Sequence, residues 1–243
     1  MELDGRVVLV TGAARRVGRA IALRFARAGC HIAVHHLSSS REAEQTAAQC
    51  RALGASAETF RADLGDPAAA AALVPEVLAR LGRLDVLVNN ASVFKPMSLD
   101  AFSVAEWDET LRINLTAPMI LAHAARTALE QAGGHIINLA DAALAHPSQN
   151  HLAYVVSKGA LDTLTRVLAR ALAPRVNVVG IAPGVAVFPE HYDPQLRAQL
   201  TARIPLQRAG TEEEVAALSE FLVREGDYIT GVVIPTDGGR QLV

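Results

Sequence analysis

A single doubly wound α/β domain, a parallel sheet with helices on both faces, is the fold this sequence predicts. Three observations carry it. Short apolar runs alternate with longer amphipathic stretches along the whole chain, the strand–helix–strand order that builds a parallel sheet. Several of the short runs are apolar throughout, such as VVLV at Val7–Val10, as strands buried on both faces tend to be. No Gly/Ser linker, charge block or internal repeat divides the 243 residues, a length that one large core accommodates.

Taken in order, the strands are expected at Val7–Val10, His31–His35, Ala57–Arg61, Asp85–Asn89, His135–Leu139, Val176–Ile181 and Val232–Pro235. Helical patterns fall at Arg16–Ala28, Arg41–Leu53, Pro67–Leu81 and Leu152–Leu172. Asp66-Pro67 supplies an N-cap and a first-turn proline, while Ser103-x-x-Glu106 and Thr211-x-x-Glu214 have the form of capping boxes. Pro118 is expected to end or kink the helix that starts near Ser103. The segment 184–208, the longest without strand character, follows a strand's C-terminal end. Ligands bind at that edge of open α/β sheets, so the segment reads as a substrate lid.

The bulk numbers exclude several classes. The hydrophobic fraction is 51%, the charged fraction 20% and the formal net charge −2. That balance gives no electrostatic footprint for nucleic acid or an anionic membrane. No apolar run approaches the roughly eighteen residues needed to span a bilayer, and the N-terminus lacks the pattern of a secretory signal. Cys30 and Cys50 form neither a disulfide framework nor a metal-spaced cluster, and no metal site is expected. A cytoplasmic protein is the expectation.

The first strand runs directly into TGAARRVGRAIA, Thr11 to Ala22. A dinucleotide fold needs glycine where the backbone turns tightly and approaches a pyrophosphate, with a helix N-terminus aimed at the phosphates. Gly12 and Gly18 meet that need in a strand–turn–helix context, with Arg15, Arg16 and Val17 between them. Arg16 stands where a middle glycine is often found; a cation there can face a pyrophosphate or a polar ligand. The second strand ends in VHHLSSSREA. NAD-preferring folds place an acid there for the ribose 2′-OH, but here the first acid is Glu42, inside the next helix. His35, Ser38, Ser39, Ser40 and Arg41 come instead, with Arg15 expected nearby. Hydroxyls and cations suit a 2′-phosphate, which a carboxylate would repel, so NADPH is favoured. Which of these side chains touches the phosphate is open.

Tyr154 and Lys158 lie four apart on one expected helix, hence on one face. A tyrosine near its reference pKa of about 10 is a sluggish proton donor. An adjacent ammonium is expected to stabilise the phenolate and lower that value toward working pH.

As a set in this order, TGAARRVG, NNAS (Asn89–Ser92), Ile113–Asn114, Tyr154-x-x-x-Lys158, Pro183–Gly184 and Asp237–Gly239 resemble the short-chain dehydrogenases/reductases over essentially the whole chain. The resemblance implies a Rossmann-type sheet of about seven strands with NAD(P)-linked hydride transfer at its C-terminal edge. It places Asp63 and Leu64 near the adenine, Asn90 and Ala91 along the ribose, and Pro183 and Gly184 at the cofactor. It makes Asn114 the polar support of Lys158, often through water, and has Lys158 also hold the nicotinamide ribose. Homotetramers are common in such enzymes.

One residue departs from the family pattern. Asp141 stands thirteen residues before Tyr154, where the wider family has a serine that donates to the substrate carbonyl. An ionised carboxylate there would oppose a developing oxyanion: two like charges ~4 Å apart at an effective dielectric near 20 interact by about 4 kcal/mol, about a thousandfold in rate. A C=N bond inverts the sign, because a carboxylate stabilises a protonated ring nitrogen and accepts hydrogen bonds from N–H groups. Two other readings stay open: Asp141 protonated in a dry pocket and mimicking the serine, or Asp141 as a loop cap with Ser148 doing the work. The departure resembles the pteridine reductase branch, as do Arg16 in Thr-Gly-x-x-x-Arg-x-Gly, His35 with the serines, and Phe94 in NASVF, where that branch stacks a phenyl ring on the pterin. It is similar, too, to bacterial dihydromonapterin and dihydrofolate reductases of this type. His191 and Tyr192 are further candidates to touch the substrate's tail. The expectation is an NADPH-dependent reductase of a pterin, dihydropterin or folate ring, with Asp141, Tyr154, Lys158 and Asn114 catalytic and Arg16 and Phe94 holding the substrate. The rivals are a carbonyl reductase, such as a 3-oxoacyl-carrier-protein enzyme, and a non-catalytic dinucleotide-binding regulator.

Overall fold

In a computed structural model, which describes residues 1–186, 188 and 193–243, the chain folds around one seven-stranded parallel sheet of order β3-β2-β1-β4-β5-β6-β7. The strands are β1 (Val7–Val10), β2 (His31–His36), β3 (Ala57–Arg61), β4 (Val86–Asn89), β5 (His135–Leu139), β6 (Asn177–Pro183) and β7 (Val233–Thr236). Helices α1 (Arg16–Arg27), α2 (Ser40–Ala52) and α8 (Glu212–Arg224) pack on one face; α3 (Pro67–Leu81), α5 (Ala117–Ala132) and α6 (Leu152–Leu172) pack on the other. The alternation of strand side chains divides the core. Val8 and Val10 meet Ile21, Phe25 and Val215 on the first face, whereas Val7 and Leu9 meet Leu73, Leu121 and Leu129 on the second. Each of these large side chains is almost wholly buried, worth about 1.5–3 kcal/mol apiece relative to exposure.

The local signals act as their chemistry dictates. Asp66 accepts from the Ala68 N–H at 2.9 Å, with Pro67 in the first turn. At the start of α8, Thr211 and Glu214 make both halves of the capping box. Ser103 accepts from Glu106 N–H at 3.5 Å at the start of α4 (Val104–Leu111).

Pro118 neither ends nor kinks the helix at its own position. Residues Arg112–Thr116 form a π-helical turn between α4 and α5, and Pro118 is the second residue of α5; its missing N–H cannot make the regular bond to the carbonyl four residues back, and the helix is widened just ahead of it. Wide turns of this kind recur at functional sites, and this one carries the buried Asn114. Within 184–208 the chain forms a helix, α7 (Pro194–Ala202), capped by Asp193 through the Leu196 N–H at 2.7 Å. His191 and Tyr192 lie outside the described residues. No described helix is long and apolar enough to cross a membrane, and no described group of His, Cys, Asp and Glu could hold a metal ion. The strand order reverses between β1 and β4, so a crevice for ligands opens at their C-terminal ends.

Candidate active site

That crevice is a cavity of about 530 Å³, within the range of small-ligand and cofactor sites. Its floor is the turn from β1 into α1. Gly12 is left-handed at φ 64°; its N–H donates to His35 Nδ1 at 3.0 Å, and His35 Nε2 meets Ala62 O at 3.1 Å. The carbonyl requires the hydrogen on Nε2, leaving Nδ1 as acceptor. Burial pushes the His35 pKa down to about 4. His35 therefore reaches the cavity as a neutral strut that shapes the glycine turn; its ring nitrogens are both committed to the backbone, and the expected contact with a 2′-phosphate is not one this ring can make as a cation.

Gly18 is needed for approach: a Cβ there would lie 2.4 Å from Gly12 O and 2.5 Å from Asn90 Nδ2. Asn90 Nδ2 donates to Thr11 O at 2.8 Å, and the Asn90 and Ala91 N–H groups donate to Thr11 Oγ1 at 2.9 and 3.0 Å, latching the β4 loop to the glycine turn. Arg15, Arg16 and Val17 line the wall beside Gly12. Arg16 holds φ 54°, a conformation glycine takes freely and other residues take at a cost of roughly 1–2 kcal/mol. Ser38 and Ser39 line the end beyond β2, with Asp63 and Leu64 beyond β3; Ser40 and Arg41 lie in the first turn of α2. The Asp63 carboxylate accepts from Gly65 N–H at 2.8 Å.

These residues fit a phosphorylated dinucleotide. The N-terminus of α1 and Arg15 offer donors to phosphates, and no carboxylate stands at the end of β2. Pro183, the last residue of β6, lines the cavity. Gly184 instead closes the sheet edge, because its Cβ would fall 2.7 Å from Asp237 Cα.

At the chemical end, α6 brings Tyr154 and Lys158 to the cavity wall. The Tyr154 hydroxyl donates to Asp141 Oδ2, while Asp141 Oδ1 accepts from Ala143 N–H at 2.7 Å and caps the 3₁₀ turn Ala142–Ala145. One carboxylate thus serves as both loop cap and partner of the tyrosine. Ser148 is elsewhere occupied, its hydroxyl against His151 Nδ1 at 3.1 Å and Asn150 N at 3.3 Å.

Burial, and then the charge and hydrogen bond of Asp141, raise the Tyr154 pKa well above its ordinary 10. This corrects the expectation that Lys158 would bring it down. Lys158 Nζ sits 5.8 Å from the centre of the tyrosine ring and donates to Leu139 O at 2.6 Å. Burial lowers its own pKa to about 8, with Asp141 pulling the other way. Burial and the neighbouring Asp141 carboxylate therefore act in the same direction on the tyrosine, burial being the larger cause.

Asn114 is fully occupied. Its Oδ1 accepts from Ser92 Oγ at 3.1 Å and Val93 N–H at 2.9 Å; its Nδ2 donates to Val93 O and Ser157 Oγ, both at 3.0 Å. Its protein partners are thus the loop that leads to Phe94 and the helix of Tyr154, not the lysine ammonium. Phe94 is about half exposed, parallel to His151 at 4.2 Å between ring centres and edge-on to Tyr154 at 4.7 Å. Met97 N–H donates to Asn150 O at 2.7 Å and Leu152 N–H to Met97 O at 3.0 Å, so α6 anchors both the stacking loop and the tyrosine.

A profile of the family described as enoyl-(acyl carrier protein) reductase matches residues 12–241. The short chain dehydrogenase/reductase nsrJ of Aspergillus novofumigatus is 33% identical, covering 98% of this chain and 96% of that protein. The chain belongs to the short-chain dehydrogenase/reductase family. Among members of that family, a 3-oxoacyl-(acyl-carrier-protein) reductase FabG of Staphylococcus aureus is 34% identical over 96% of this chain and 97% of its own length. The crystal structure of FolM alternative dihydrofolate reductase 1 from Brucella canis, complexed with NADP, superposes with a TM-score of 0.94 at 36% identity, covering 100% of this chain and 96% of that one.

Within this short-chain reductase, three functional side chains were not singled out from the sequence. Thr11 forms the latch, Ser157 receives Asn114, and His151 backs the Phe94 ring. The available signal was the polar Ser157 on the same helix face as Tyr154 and Lys158; nothing local marks His151, whose role depends on a loop some sixty residues away.

Proposed function

We propose that the chain is an NADPH-dependent reductase that converts a C=N bond in a pterin, dihydropterin or folate ring to CH–NH. NADPH is the cofactor, held by the glycine turn, the β2–α2 serines, the Asn90–Ala91 turn and Lys158. When bound, it supplies the hydride that reaches the ring carbon. Tyr154 delivers the proton to the ring nitrogen. Asp141 holds the Tyr154 hydroxyl and places negative charge where the substrate gains positive character. Phe94 offers its free face to a flat heterocycle, and Arg16 faces the ring's polar edge. Residues 184–208 act as the lid.

The observation that supports this reading is the hydrogen bond from the Tyr154 hydroxyl to the Asp141 carboxylate. A developing oxyanion would meet that carboxylate as a like charge, at a cost of about 4 kcal/mol at ~4 Å and an effective dielectric near 20; a protonated imine would be stabilised instead.

A second reading, an NADPH-dependent carbonyl reductase, is favoured by the 34% identity to the Staphylococcus aureus FabG. It requires Asp141 to be neutral and to donate as a serine would. NADPH oxidation by the purified protein with dihydrobiopterin, dihydrofolate and a panel of ketones and 3-oxoacyl thioesters separates the two. Turnover confined to pterins supports the first reading, turnover confined to carbonyls supports the second, and NADPH binding without any turnover supports a regulator. The assembly in this reading is a homotetramer, to be checked by light scattering.

A further inference from the structure

A second cavity, of about 690 Å³, lies between the 3₁₀ turn after β5, the end of α7 and the last turn of the chain. Arg203, Arg240 and His146 line it; no acidic side chain does, and Val243, with its main-chain carboxylate, stands at its rim. Among the described residues, neither guanidinium has an ion-pair partner. The two arginines come from different elements, the segment after α7 and the turn after β7. The convergence therefore comes from the fold and not from a basic run in the sequence.

His146 closes the turn that Asp141 caps. At a 3₁₀ rise of about 2.0 Å per residue, five residues place it on the order of 10 Å from the catalytic carboxylate. That spacing suits the far end of a substrate whose ring sits at Asp141 and Tyr154. The segment forming one wall, Arg203 to Gln207, belongs to the stretch read as the lid.

We infer that this second cavity is a subsite for the carboxylate of a substrate tail, so that the enzyme prefers pterins carrying an acidic side chain to unconjugated ones. The inference rests on the pterin reading. Guanidinium pairs recognise carboxylates through charge-assisted, often bidentate hydrogen bonds, and hydrogen bonds to charged groups are worth enough for roughly tenfold or more in affinity.

The test compares dihydrofolate, which carries a glutamate tail, with dihydrobiopterin, which does not, at saturating NADPH. The proteins are the wild type, the double variant Arg203→Gln/Arg240→Gln and the charge-retaining Arg203→Lys/Arg240→Lys. The Gln variant should raise KM for dihydrofolate about tenfold while kcat for both substrates and KM for dihydrobiopterin stay within twofold; the Lys variant should recover part of the loss. Equal KM changes for both substrates, or none, overturn the inference while leaving the pterin reading intact. A loss seen only with an acyl-carrier-protein substrate overturns it in favour of an acidic protein docking there. Wild-type enzyme that turns over neither pterin removes the pterin reading, and the inference with it.

Discussion

Replacing Asp141 by Asn is the sharpest perturbation the site allows. The amide keeps the shape and the oxygen that accepts from Ala143 N–H at 2.7 Å, so the 3₁₀ turn is preserved while the charge facing Tyr154 is lost. Hydrogen bonds to charged groups contribute about 1.5–3 kcal/mol, or roughly 10–150-fold at 1.36 kcal/mol per factor of ten. The Coulomb figure of about 4 kcal/mol is an upper bound, because Asp141 is only partly buried and solvent screens it. The expected result in an NADPH-oxidation assay is a fall of about 10–150-fold in kcat/KM for a pterin, carried mainly by kcat, with no fall for ketones. Tyrosinate absorbance, with Tyr154→Phe as the subtraction, gives a second readout. The Tyr154 pKa should move down on losing Asp141 yet remain above the usual value, since burial is the larger cause of its elevation. Pterin turnover within twofold of wild type, or an unmoved tyrosine, would refute the reasoning.

Three further outcomes follow from the same geometry. Burial lowers His35 from 6.5 to about 4, so between those values the unfolded chain binds the extra proton. The stability His35 contributes is complete above pH 6.5 and is lost as pH falls toward 4, by about 3 kcal/mol; urea unfolding of wild type and His35→Asn at pH 7 and 4.5 should show a shallower pH slope in the variant, and parallel slopes would contradict the strut. Gly18→Ala puts a methyl 2.4 Å from Gly12 O and should cost about 1–3 kcal/mol of stability and at least tenfold in NADPH affinity by fluorescence titration; unchanged binding would mean the turn relaxes. His151→Ala removes the ring 4.2 Å from Phe94, for which about 0.5–1.5 kcal/mol predicts a pterin KM raised about 2–12-fold. His151→Phe should restore it, and failure of that rescue would argue against stacking.

The strands were legible because burial on both faces writes them as apolar runs. All seven expected strands overlap the observed ones, with ends shifted by a residue or two where flanking residues such as Pro183 and Thr236 extend the ladder. The glycine turn, Asp141, Tyr154 and Lys158 were legible because their spacing along one strand–turn–helix unit or one helix is itself the geometry. What depends on distant residues meeting was not. The neutral state of His35 comes from burial among elements distant in sequence, and the elevated tyrosine from burial together with a carboxylate whose orientation the 3₁₀ turn decides. The π turn at Arg112–Thr116 escaped because Pro118 is a stronger local signal than a one-residue change of helical period. Helix α7 escaped because none of its residues is buried, so it lacks the apolar stripe that marks the others.

The wide turn at Arg112–Thr116 takes up one extra residue within a single turn, so α4 and α5 keep the phase of one continuous helix. Deleting a single residue there would restore ordinary α-helix and leave Leu121, Ala125 and Leu129 buried against the sheet. Asn114 would instead lose the widened backbone that carries it to the Val93 loop it clamps. The extra residue thus serves the site and not the core.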